Sequence, residues 1–144
     1  MIVISVNGLL PAFVSRTILT RAIRETFRAA HQRTEGSVSL FLLTNRRIRS
    51  LNRRFRGSDT PTDVLSFAPA AFPIRRKQSK DWGEIFLAPA YIRTSARTQR
   101  IPFREEFCRV TIHGMLHLFG YHHATKTEER RMFRMQERAL KTVV

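Results

Sequence analysis

The sequence predicts an α+β domain with a mixed sheet of about four strands. Three observations carry this. Apolar runs rich in β-branched residues alternate with stretches of helical periodicity along most of the chain. The third and fourth strand candidates follow one another with no helix between them, which a strictly alternating α/β fold would not do. The length, 144 residues, fits one domain over 1–144, large enough to bury a core without disulfide staples.

Each element has a local reason. Ile2 to Val6 is a β-branched run and reads as a strand. Residues 13–31 place Val14, Ile18, Ala22, Ile23, Phe27 and Ala30 at helical spacing, with Arg16, Arg21, Arg24 and Arg28 on much of the other face. The Glu35-Gly36-Ser37 turn closes that helix, and Val38 to Leu43 is a second strand, apolar apart from Ser39. Thr44 or Asn45 caps a second helix that runs through Leu51 to about Arg54. Gly57 to Pro61 is a loop, and Thr62 to Ala68 a third strand. Residues 69–81, with two prolines and the run Arg75-Arg76-Lys77, read as an exposed loop; Trp82 to Leu87 is the fourth strand. Pro89 opens a helix over 90–99. Pro102 opens the next, with Glu105 and Glu106 in its first turn where the helix dipole favours anions, and it stops at Gly120. Thr125 to Glu128 is a capping box for a last helix over 126–140.

Composition bounds the function. The formal net charge is +15, and all but four of the 26 basic residues are arginine, which pairs bidentately with phosphate. A sequence pI near 11.7 on a compact domain is the electrostatic footprint of a nucleic-acid binder. Arg-rich codon usage is the bland alternative. No apolar run approaches the ~18 residues of a membrane span. Met1 to Val6 lacks the basic leader and long apolar core of a signal peptide. One cysteine, Cys108, excludes an internal disulfide and a Cys-based zinc finger, and a reducing, cytoplasmic setting is the simplest fit.

Four of the five histidines fall in His113-Gly114-Met115-Leu116-His117-Leu118-Phe119-Gly120-Tyr121-His122-His123. On a helix, positions 113 and 117 leave the same face, a spacing that suits two imidazoles on one metal ion. Gly120 breaks the helix and lets the chain bring a third imidazole round, giving His-x3-His-x5-His with positions left for water. An accidental polar pair is the competing explanation. The surrounding helix, however, is apolar on most sides, and unpaired buried imidazoles would be costly. The metalloprotease pattern His-Glu-x-x-His carries its general base at the second position, where this chain has Gly114.

The histidine segment resembles the signature of the YbeY-type endoribonucleases, the rRNA maturation factors: His-Gly-x-Leu-His-Leu-x-Gly-Tyr-Asp-His. The stretch from Leu51 to Phe67 is similar to that family's second block, and Gly83-Glu84-Ile85 to its Gly-Asp-Ile step. The resemblance implies an α+β fold with a zincin-like site, one zinc ion held by His113, His117 and His123, and a functional cleft arginine at Arg56. It also implies action on single-stranded RNA, in maturation of the 3′ end of small-subunit rRNA and in ribosome quality control, with ribosomal small-subunit proteins as potential partners. Three positions depart from the pattern: His122 stands where the family has Asp and is a rival ligand to His123, although the x5 spacing favours His123; Glu84 replaces Asp; and Ala68 stands where Pro is common.

On this reading zinc acidifies water for attack on an RNA phosphodiester, unaided or with Glu84 or Asp63 as base, and Arg56 stabilises the developing charge. Arg46, Arg47, Arg49, Arg53 and Arg54 hold the RNA backbone, as does the Arg75-Arg76-Lys77 loop. Phe55, Phe72 or Trp82 could stack a base, Trp82 being the better candidate for the core. Cys108 reads as a small core residue and His31 as a surface group at a helix end. Two other readings stand beside this one: a metallohydrolase of another substrate, and an RNA- or ribosome-binding protein whose metal is structural, with His122 as the fourth ligand.

Overall fold

The computed structural model describes residues 1–69 and 80–144. In chain order the elements are β1 (Ile2–Asn7), α1 (Arg16–Ala29), β2 (Gly36–Leu42), α2 (Asn45–Arg56), β3 (Val64–Phe67), β4 (Asp81–Leu87), α3 (Pro89–Gln99), α4 (Phe103–Leu118) and α5 (Lys126–Lys141). The loop expected over 69–81 has its basic run and Phe72 outside the described residues, and Asp81 already belongs to β4. The strands form one mixed sheet in the order β1-β2-β4-β3. β1, β2 and β4 run parallel, and β3 pairs antiparallel with β4 at one edge. Among the described residues no helix is long and apolar enough to cross a membrane.

Strand alternation divides the sheet into two faces. Ile2, Ile4, Val38, Leu40, Ile85 and Leu87 join the main core, which also takes the apolar stripes of α1, α4 and α5. Leu65, Phe67 and Phe86 meet Ile48 and Leu51 of α2 on the other face. A register shift at Ser37/Val38 lets Trp82 turn into the main core, where it stands edge-on to Phe27 and Phe119. Trp82 is therefore packing, not a base platform. Cys108 is fully buried, and burial pushes its thiol up to about 11, which leaves it inert.

The helix ends follow local chemistry. Ser15, Thr44 and Thr125 each accept a backbone N–H from the first turn of α1, α2 and α5. α1 thus starts at Arg16 and not at residue 13, because Ser15 caps it and Phe13 takes φ +69°. It also ends earlier than expected: His31 adopts φ +52°, and Gln32 N–H reaches back to the Phe27 carbonyl, so Gly36 is free to begin β2. β3 is shorter than the 62–68 expected, with four residues in the ladder.

α4 lies unusually close to the sheet. A Cβ on Gly114 would sit 2.9 Å from Ile85 Cγ2 and 3.1 Å from both Ser66 Oγ and Val64 Cγ2. Ser66 Oγ donates to the Gly114 carbonyl at 2.8 Å, which pins the helix at that point. Gly114→Ala should therefore destabilise the fold by about 1–3 kcal/mol through overpacking. A lowered midpoint in thermal denaturation checks this, and Gly114→Glu should fail to fold.

Candidate metal centre

His113 and His117 sit one turn apart on α4, half-buried, and their Nε2 atoms lie 3.0 Å from each other. Each Nδ1 meets an oxygen acceptor. His113 Nδ1 donates to Gln136 Oε1 at 2.8 Å, and His117 Nδ1 donates to the Tyr121 carbonyl at 2.9 Å. The proton on each ring is thereby held at Nδ1, and both Nε2 lone pairs face a shared point.

The turn after α4 produces part of this. Gly120 takes φ +95°, its N–H bonding the His117 carbonyl while Tyr121 N–H bonds the Leu116 carbonyl. That tight reversal brings the Tyr121 carbonyl back onto His117. It also carries His123 round, so that nitrogen atoms of His113, His117 and His123 all lie within 4.8 Å of one another. His122 is exposed, its ring 6.3 Å from that of His117, and it stands outside this trio.

The three rings fit a metal ion. Two tetrahedral Zn–N bonds of about 2.0–2.1 Å would place their nitrogens roughly 3.3 Å apart, close to the spacing observed. Two lone pairs facing each other at 3.0 Å repel unless a proton or a cation lies between them. Burial, with His113 adding to it, pushes His117 down to about 4, and burial also lowers His113. Neutral imidazole is the form that binds a metal.

Gln136 and the groups behind it were not legible as site residues in the sequence. Gln136 is buried on α5, and its Nε2 donates to Glu137 Oε2 at 3.2 Å. Glu137 in turn accepts from Arg109, at 3.1 Å from Nε, and Arg109 also donates to Glu106 at 2.8 Å and Glu105 at 3.4 Å. A carboxylate can only accept, so the Gln136 amide must turn its NH2 to Glu137 and its oxygen to His113. The signal was the spacing of Gln136 on the inward stripe of α5, where a buried amide needs a partner.

Of the arginine run, the structure brings Arg56 to the histidines. Arg56 donates to the Ser66 carbonyl at 2.9 Å and lies over Phe67 at 5.2 Å. It lines a cavity of about 480 Å3 together with Ser66, His117, His122 and His123. Arg46, Arg47, Arg49, Arg53 and Arg54 are exposed on α2 and do not reach that cavity. Arg49 is bound to Asp59 at 2.9 Å, Arg54 lies over the exposed Phe55, and Arg47 lines a larger hollow on the opposite side of the sheet. Of the two carboxylates considered as bases, Glu84 is exposed on the face away from α4, since its neighbour Ile85 packs against Gly114. Asp63 is near enough to His113 for their charges to interact, and burial raises its carboxyl above the usual range.

Comparison with known proteins places these features in a family. Residues 11–144 match the family model described as Endoribonuclease YbeY. The Endoribonuclease YbeY of Brevibacillus brevis is 35% identical over 123 residues, covering 78% of this chain and 77% of that protein. That of Persephonella marina is 36% identical over 111 residues, covering 74% and 69%. A solution structure of a Thermotoga maritima protein superposes with a TM-score of 0.65 at 28% identity, covering 99% of this chain and 89% of the other.

Replacing Gln136 with Leu keeps the volume near α5 but removes the acceptor for His113. Zinc affinity, measured by chelator competition, should fall about 10- to 100-fold with helical content unchanged.

Proposed function

The chain belongs to the Endoribonuclease YbeY family, and we propose that residues 1–144 form one metal-dependent domain that hydrolyses phosphodiesters of single-stranded RNA. The observation that carries this is the convergence of His113, His117 and His123 beside a cavity that also holds Arg56. His113 and His117 would bind one zinc ion through Nε2, with His123 completing the set. Three neutral nitrogens leave positions for water, as catalytic zinc sites do, and the separation of His122 from the trio favours catalysis over a closed structural site. Zinc, when bound, supplies the Lewis acidity that brings the pKa of water to about 7.

The remaining work falls to the chain. Arg56, steadied by the Ser66 carbonyl and the Phe67 ring, binds a phosphate oxygen and opposes the charge that develops on it. Asp63 lies near enough to His113 for their charges to interact, and it would accept the proton from attacking water. Gly114 leaves no carboxylate on the helix itself, which counts against peptide hydrolysis by the His-Glu-x-x-His route. The exposed arginines of α2 and the net charge of +15 attract the RNA backbone to the protein's surface. The family relationship supports a role in maturing the 3′ end of small-subunit rRNA and in ribosome quality control, in the cytoplasm and in contact with small-subunit proteins.

Arg56→Ala should lower the rate of single-stranded RNA cleavage by about 100- to 1,000-fold, with metal content and melting temperature unchanged. Full activity in that variant would remove Arg56 from the mechanism. Arg53→Ala and Arg54→Ala should instead weaken RNA binding modestly and flatten its salt dependence, as a fluorescence-anisotropy titration at several salt concentrations would show.

A further inference from the structure

A second cavity, of about 350 Å3, adjoins the histidines on the side where α5 packs, lined by His113, His123, Glu129, Met132, Phe133 and Gln136. We propose that this cavity is a nucleobase subsite, in which the base beside the cleaved phosphate stacks on Phe133 and presents its amino edge to Glu129. The proposal rests on the ribonuclease reading above and adds the part of the substrate that the α5 side takes.

Phe133 is the first reason. It is 59% exposed on a helix whose apolar stripe, Met132, Met135, Ala139 and Leu140, is already buried. The ring therefore does little for the core. Its place along α5 is fixed by Gln136, which is bonded to His113. Three residues of helical rise put Phe133 about 4.5 Å along the axis from Gln136, and seven put Glu129 about 10 Å along it, on the same stripe. An exposed aromatic face thus begins one turn from the residue bonded to His113 and ends at a carboxylate.

The chemistry of the lining is the second. The Arg56 cavity carries a cation suited to phosphate. The α5 cavity has no lysine or arginine in its lining; beside His113, His123 and Gln136, its Met132 and Phe133 side chains suit a base, and Glu129 disfavours a phosphate. Beyond Phe133, Lys126 and Arg130 share a further hollow with Glu129 and the same ring, and these two cations outweigh the one carboxylate and suit the next phosphate. The three hollows in sequence alternate phosphate, base and phosphate, as a single strand does.

Glu129 has no ion pair among the described residues. An ionised carboxylate only accepts hydrogen bonds. Cytosine, adenine and guanine offer exocyclic amino donors. Uracil offers one N–H flanked by two carbonyls, which the carboxylate repels. The subsite therefore selects amino-bearing bases over uracil.

The test uses the metal-loaded full chain and short single-stranded RNAs. Stacking is read from the quenching of 2-aminopurine, placed in turn at each position of a 2′-O-methyl oligonucleotide. Selectivity is read from cleavage of RNAs that carry each of the four bases on either side of the cut. Phe133→Ala should abolish the quenching and weaken binding by about 5- to 150-fold at unchanged metal content, with Phe133→Tyr restoring both. Glu129→Gln should narrow the discrimination against uracil at one flanking position. Equal quenching, binding and base preference in wild type and Phe133→Ala would overturn the subsite. Quenching that depends on Phe133 in a protein that cuts no RNA would leave the subsite standing and remove the ribonuclease reading instead.

Discussion

The close approach of α4 to the sheet at Gly114 governs the arrangement of the whole site. With no side chain at that position, the helix backbone comes within reach of Ser66, Val64 and Ile85, and the Ser66 hydroxyl holds it there. That contact fixes the rotation of α4 about its own axis. The directions in which His113 and His117 leave the helix are then fixed as well, since they flank the contact within one turn. The same contact explains why a glycine occupies the slot that a His-Glu-x-x-His enzyme gives to glutamate: the sheet fills the space the glutamate would need. The helix itself thus carries no carboxylate at that slot, and Asp63, next to β3, is the carboxylate whose charge interacts with His113.

Two separate devices set the state of the two α4 imidazoles. His117 is oriented locally, by the reversal at Gly120 that returns the Tyr121 carbonyl to its Nδ1. His113 is oriented from a distance, by Gln136 of α5, whose amide is in turn held by Glu137 and Arg109. The Arg109 cluster spans α4 and α5 and includes Glu106, itself buried and also bonded to Gln99 of α3. Three helices thus share one polar network that ends on one of the three clustered imidazoles. Burial disfavours the charged form of both rings, so the folded chain presents lone pairs in advance of any ligand.

Much of this was legible in the sequence because it is local. Thr44, Thr125, Gly57 and Gly120 announce helix ends by their own chemistry, and the four-residue spacing of His113 and His117 states a shared face directly. The start of α1 was less legible, since Phe13 and Val14 continue the apolar period although Ser15 begins the helix. Long-range pairing was not legible at all. The order β1-β2-β4-β3 inserts the last strand between two earlier ones, and nothing in a strand's own residues names its neighbour. Gln136 lies 23 positions from His113, and as a lone residue in a charged amphipathic helix it carries no local mark of its partner. Arg56 was singled out by family resemblance alone; only the edge position of β3, with a free carbonyl at Ser66, gives it a physical reason to stand apart from Arg53 and Arg54.

The geometry points to one metal site made by His113, His117 and His123, with His122 outside it. Elemental analysis of untagged protein, comparing wild type with His117→Ala and His122→Ala, tests it most directly. About one zinc per chain is expected in wild type and in His122→Ala, and none in His117→Ala while the helical signal persists. A folded wild type that takes up no metal when zinc is offered would contradict it, as would loss of metal in His122→Ala.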